Sequence, residues 1–336
     1  MDHEPESLSK APAEADSLRA ERLLAARMRS RANENVVAAL IDLLDDVNHA
    51  VWRPVRSRLA AMGPGVLPAL RKAARGDRPR LRARARDLLA KAQRRQAVRH
   101  LIRHGARQEI DLERALYLLS HLHTANFDAR PYVRALDAMG RDVRQRIEHL
   151  EPGSARLEGL ATYLGTERGF RGDTTDYHHP DNSFLHRVIE RRRGLPLTLS
   201  AIYLFVGRRA GIQCGATALP GHVVVQLRSG DTSMLVDPFH GGRELSRRDC
   251  LQYLTQHGHA PDPAWFRDAG DGVILLRQVR NLMNSYRTRG LVSRARELLP
   301  VLEVLGRTQV KPPEGAERLG TRGRGRTRRG SGPGQG

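Results

Sequence analysis

From Asn35 to Leu164 apolar residues recur every three to four positions, the spacing of helices that bury one face. Val36, Val37, Leu40, Leu43 and Leu44 open the pattern. An acidic turn at Asp45–Asn48, a break at Gly63-Pro64 and a turn at Gly76–Pro79 then punctuate it, which predicts two successive helix pairs. Further on, Leu112, Leu116, Leu119 and Leu122 make one stripe. Tyr132, Leu136 and Met139 make a second, and Val143, Ile147 and Leu150 a third. Three amphipathic segments are therefore expected before Glu151-Pro152-Gly153, with another helix over Leu157–Leu164.

The pattern changes between Pro180 and Gly242. A helix is followed by Gly194-Leu195-Pro196 and by a second helix that is apolar all round and closed by Gly211. Three runs with strand character come next: Gln213–Ala218, His222–Leu227 and Met234–Val236. A histidine thus opens one predicted strand and an aspartate, Asp237, closes the next. After Gly242 helices are predicted over Leu245–His257, Val273–Arg289 and Ser293–Gly306, with a break at Pro261–Pro263 and a turn at Gly290. Residues 1–18 and the tail from Lys311 are polar or Gly/Arg-rich and are expected to be disordered, with a helix between Leu18 and Arg29.

At 336 residues the chain has room for two or three domains, and with aromatics at only 4% their cores must be built from Leu, Val and Ala. No run of eighteen apolar residues predicts a membrane span, and the acidic N-terminus has no secretory pattern. Two cysteines, Cys214 and Cys250, make no disulfide framework, so a reduced cytoplasmic setting is expected. The net charge is +20, yet only Lys10, Lys72, Lys91 and Lys311 are lysines, an arginine skew that a GC-rich genome produces by itself. The charge is uneven all the same. From Arg53 to Arg107, 17 basic residues face only Asp77 and Asp87, so nucleic acid or another polyanion is a candidate partner there and at the RGRGRTRRG tail.

The order GFRG, PDNSFLHRVIERRRGLPLTLS, GRRAGI, LPGHVVVQL and LVDPFHGG resembles the SirB-type branch of the transglutaminase-like superfamily, over roughly Glu109 to Arg248. The resemblance implies an α+β fold, mostly helical, with a papain/transglutaminase-like core around a small antiparallel sheet. The stretch in front resembles HEAT-like repeats, and the pair around Gly290 a single tetratricopeptide-type hairpin. The expected domains are an extension over 1–34, HEAT-like repeats over 35–105, the transglutaminase-like domain over 106–250, C-terminal helices over 251–308 and a tail over 309–336.

Active members of that superfamily place a cysteine at a helix start, where free N–H groups and the dipole lower the thiol's pKa, beside a His–Asp pair. The resemblance puts His222 and Asp237 in the places of that pair. The cysteine's place falls at Pro196, which suits the first turn of a helix and has no nucleophilic atom. Three readings stay open. The domain keeps its groove for binding a protein or peptide, with Asn182, Pro196 and Thr198 lining it. Or Thr198 or Ser200 serves as the nucleophile of an atypical amide hydrolase. Or Cys214 supplies the thiol. A His–Asp pair also ties strands together without chemistry. Asn182 and Ser183 read most simply as a helix N-cap. His178, His179, His186 and His240 lack the spacing of a ligand set, so no metal and no cofactor are expected.

Overall fold

The computed structural model describes residues 33–124 and 127–309; the helix expected over Leu18–Arg29, the N-terminal extension and the basic tail lie outside the described residues. The chain divides into two compact units at Gln96 and Ala97. Among the described residues no helix is long and apolar enough to cross a membrane.

The first unit holds α1 (33–43), α2 (His49–Ala61), α3 (Leu67–Ala73) and the start of α4 (Pro79–Gly105). Asn48 caps α2 by accepting the N–H of Ala50. The buried stripe of α1 and the turn after it is Val37, Ile41 and Leu44, an i, i+4, i+7 set, while Val36 and Leu43 of the expected stripe face solvent. These pack with Leu59, Leu70, Leu81 and Ala85. The arginines of α4 are not simply a solvated face. Arg84 donates to the backbone oxygens of Leu44 and Asp46, both at 2.7 Å, with its guanidinium 4.1 Å from the Trp52 ring centroid. Arg82, Arg86 and Arg95 donate to the carbonyls of Gly76, Ala74 and Ala60. Helix C-termini leave carbonyls without partners, and these side chains supply them.

The second unit is built around α9 (Pro196–Ala210), whose residues are buried on nearly every side. Pro196 stands at its first position and Gly211, at φ 85°, ends it, both as the sequence predicts. Around it lie α5 (Leu112–His123), α6 (Arg130–Ile147), which packs along it, and α7 (Ser154–Thr162). The two stripes expected as separate segments, Tyr132 to Met139 and Val143 to Leu150, share the single helix α6 as far as Ile147. Gly140 lies inside it and lets α9 pack close: a Cβ there would come 2.5 Å from the Cβ of Arg209.

Two short strands, β1 (Arg171–Gly172) and β2 (Arg193–Gly194), pair in parallel around α8 (Leu185–Arg191). Against α9 and α7 lies an antiparallel sheet in the order β3 (Gln213–Thr217), β4 (Val224–Ser229), β5 (Thr232–Asp237), β6 (Arg243–Leu245). The fourth strand has no counterpart in the sequence reading. His222 does not open β4 but sits two residues before it, since Gly221, at φ 73°, turns the chain there. The helices α10 (Arg247–Gln256), α11 (Asp271–Thr288), α12 (Val292–Glu297) and α13 (Leu299–Gln309) complete the unit. The helix expected over Ser293–Gly306 is thus two. Pro300 has no N–H for the carbonyl four residues back, and the chain breaks at Leu298.

Candidate functional site

The register of the sheet creates the site. Val225 pairs with Val236 across β4 and β5, so the end of β5 and the turn before β4 lie side by side. That places His222 against Asp237, and the ring Nε2–H donates to Asp237 Oδ2 at 3.0 Å. Asp237 is also the N-cap of the 3-10 turn Pro238–His240. Its Oδ1 accepts the backbone N–H groups of Phe239 and His240 at 2.9 and 3.3 Å. The turn brings His240 back onto the same carboxylate, where its Nδ1–H donates to Oδ2 at 2.7 Å. One carboxylate oxygen thus holds two imidazoles. Burial pushes the Asp237 carboxyl up, but the bonds and charge of His222 and then of His240 outweigh it and hold the pKa at about 2.

Two cavities, of about 250 and about 320 Å³, share a wall made by Tyr177, Pro196 and His222. Leu219, Phe239, Leu245 and Tyr253 make the first largely apolar. Arg277, Arg280 and Asn281 line the second. Pro196 is therefore the α9 residue that lines both cavities with His222, at the helix start where a thiol would be activated.

The loop carrying His222 is held from both flanks. Tyr253 on α10 donates to the carbonyl of Pro220 at 3.1 Å. Arg277 on α11 donates to the carbonyls of Leu219 and His222 at 2.7 and 3.0 Å, and burial lowers the pKa of its guanidinium. On the opposite side, Gly165 lets the backbone approach Gly241, whose oxygen would lie 1.8 Å from an added Cβ. The His240 turn is seated by that close packing.

The other residues singled out in the sequence stand behind the groove. Asn182 and Thr198 do not line it; both are fully buried. Asn182 donates to the carbonyls of Asp176 and Tyr177 and accepts from Arg191, so it ties down the loop that presents Tyr177. Nor does Asn182 cap α8, which has no side-chain cap: His179 caps the 3-10 turn Pro180–Ser183, to which Asn182 belongs. Thr198 Oγ1 accepts from Gln278 at 3.0 Å, and Gln278 also donates to the carbonyl of Ser183. Ser200 is buried and donates to the carbonyl of Val223 at 3.3 Å. Cys214 packs on Gly207, near the far end of α9, with burial pushing its thiol up to about 12.

Three further residues belong to the site. Cys250 lines the apolar cavity, but it is 1% exposed, and burial followed by the charges of Asp249 and Asp237 pushes its thiol up to about 11. Tyr253 and Arg277 are the clamps on the His222 loop. Arg277 had a signal: it and Gln278 are polar residues set inside the apolar run of a helix, where a polar side chain needs a partner.

Residues 130–280 match the family described as the Transglutaminase-like superfamily. A UPF0162 protein of Xylella fastidiosa is 32% identical over 167 residues, covering 48% of this chain and 59% of that protein. A UPF0162 protein of Pseudomonas aeruginosa is 30% identical over 207 residues, covering 61% of this chain and 73% of that protein. F-box only protein 21 of Mus musculus is 26% identical over 153 residues, 43% of this chain and 24% of that protein. The chain thus spans 59% of the length of the Xylella relative. No solved structure gives a significant match.

Proposed function

The chain belongs to the UPF0162 family and carries a transglutaminase-like superfamily domain, and from that premise we propose a non-catalytic binding module whose groove over His222 and Asp237 takes an extended peptide segment of a partner protein. The observation that carries this reading is Pro196. It occupies the helix start on the shared wall with His222, and it has neither a proton to lose nor an atom to attack with. The nearby alternatives are poor nucleophiles. Thr198 and Ser200 are buried and hydrogen-bonded, and burial holds the thiols of Cys214 and Cys250 in the protonated form at neutral pH.

The groove itself suits an extended chain. An apolar cavity beside a polar one lined by Arg280 and Asn281 offers alternate pockets for a side chain and for an acidic or carbonyl group. The SirB-type branch is the finer assignment within the superfamily. HEAT-like pairing in the first unit and a tetratricopeptide-like hairpin around Gly290 are two further interaction elements that fit an adaptor. Likeness to a stretch of F-box only protein 21, a much longer protein, fits a module used inside larger architectures. Polyanion binding over residues 53–107 draws less support, because Arg82, Arg84, Arg86 and Arg95 are engaged with helix carbonyls.

The test is selection of displayed random decapeptides on the full chain, together with peptidase and amidase assays of the same protein. The expected result is a family of enriched peptides whose binding falls about tenfold or more in Phe239→Ala, with no turnover that depends on His222. Hydrolysis abolished by His222→Ala would replace the module with an atypical hydrolase.

A further inference from the structure

Orienting an imidazole takes one carboxylate and one ring. Here the carboxylate carries two rings, and the second has no part in the dyad implied by the family. We infer that His222, Asp237 and His240 form a site for a divalent transition-metal ion of the zinc class, at the floor of the apolar cavity. One ligand atom from each of the three residues lies within 4.8 Å of the other two. Zinc bonds to imidazole nitrogen and carboxylate oxygen are about 2.0–2.2 Å long, which sets neighbouring donors of one ion about 3 to 3.5 Å apart. Two of the three edges are already near that length, at 3.0 and 2.7 Å. The third closes by rotation of His240, whose side chain is 60% exposed and so has room to turn.

The donors are prepared for an ion. Asp237 Oδ1 is held by two backbone N–H groups, so Oδ2 keeps a fixed direction when a cation replaces the two ring protons on it. In neutral rings those protons move to His222 Nδ1 and His240 Nε2. The set of two imidazoles and one carboxylate selects the class, since magnesium and calcium take oxygen ligands while imidazole suits zinc, copper, iron and nickel. Three protein ligands leave coordination open toward the cavity. The ion site stands independently of the peptide-binding reading, and either can fail alone.

The test is titration of the chelator-treated full chain with zinc chloride by calorimetry, and with cobalt chloride by visible absorption. One ion per chain is expected, with absorption bands of a nitrogen- and oxygen-bound cobalt. His240→Ala, a change at an exposed side chain, should weaken zinc binding by at least about tenfold, and Asp237→Asn should do the same. His149→Ala, an exposed histidine elsewhere, should leave it unchanged. Absence of binding overturns the site. So does binding that His240→Ala leaves intact, whatever Asp237→Asn does, because the ion would then be held by other residues.

Discussion

Pro196 and His222 line the same two cavities: the first residue of the central helix shares their wall with the histidine held by Asp237. Everything that activates a thiol is assembled there except the thiol. The helix start supplies unpartnered N–H groups and the positive end of the dipole, and the imidazole is oriented by a buried carboxylate.

Pro196→Cys should therefore create a reactive cysteine. Its pKa should fall about one to two units below the ordinary thiol value. The two native thiols, both shifted up by burial, should remain slow. Iodoacetamide labelling followed against pH, with peptide mapping, reads this directly. A second change, His222→Ala, should return most of the shift. Labelling at position 196 no faster than at Cys250 would mean that the imidazole and helix start do not act on that position.

Arg277 is expected to hold the His222 loop rather than to bind a ligand. Its guanidinium reaches the carbonyls of both Leu219 and His222. Arg277→Met keeps the stem and removes the donors, at a cost of about 1.5–3 kcal/mol in stability. Amide exchange should accelerate over residues 219–223 and stay unchanged in α5, with partial recovery in Arg277→Lys. Equal acceleration everywhere would point to global destabilisation only.

His186 should make the protein sensitive to mild acid. Ser120 Oγ–H donates to the carbonyl of Leu116, so it accepts from His186 Nδ1–H, leaving Nε2 to accept from Thr124. That pattern needs a neutral ring, and burial, with His123 and Arg187 against Glu190 and Asp181, lowers its pKa to about 4. Between about pH 6.5 and pH 4 the unfolded chain takes up a proton that the folded chain refuses. Stability therefore falls as pH drops through that window and levels off below it, by up to about 3 kcal/mol. Urea midpoints at pH 7 and 4.5 measure the fall, and His186→Gln should lose most of this contribution. An equally steep fall in that variant would assign the sensitivity to other groups.

The linear chain already contained the central helix, the aspartate at the strand end and the absence of a thiol. Those features are local: a proline with no N–H at a helix start, a glycine in the left-handed region at its end, and an apolar run between them. It also carried the buried stripe of α5, because residues three and four apart share a helix face whatever packs on it. Other features had no local signal. The register of β4 against β5 brings His222 to Asp237, and a turn of three residues folds His240 onto the same oxygen. Tyr253 and Arg277 reach the His222 loop from helices more than thirty and fifty residues further on. Thr198 and Asn182 went inward for the same reason: α11 and the 173–177 loop supplied partners that made burial cheaper than exposure. Periodicity reports which face of an element is apolar. Only the packed fold decides which polar groups from distant elements meet, since that depends on how rigid layers come together rather than on any one segment.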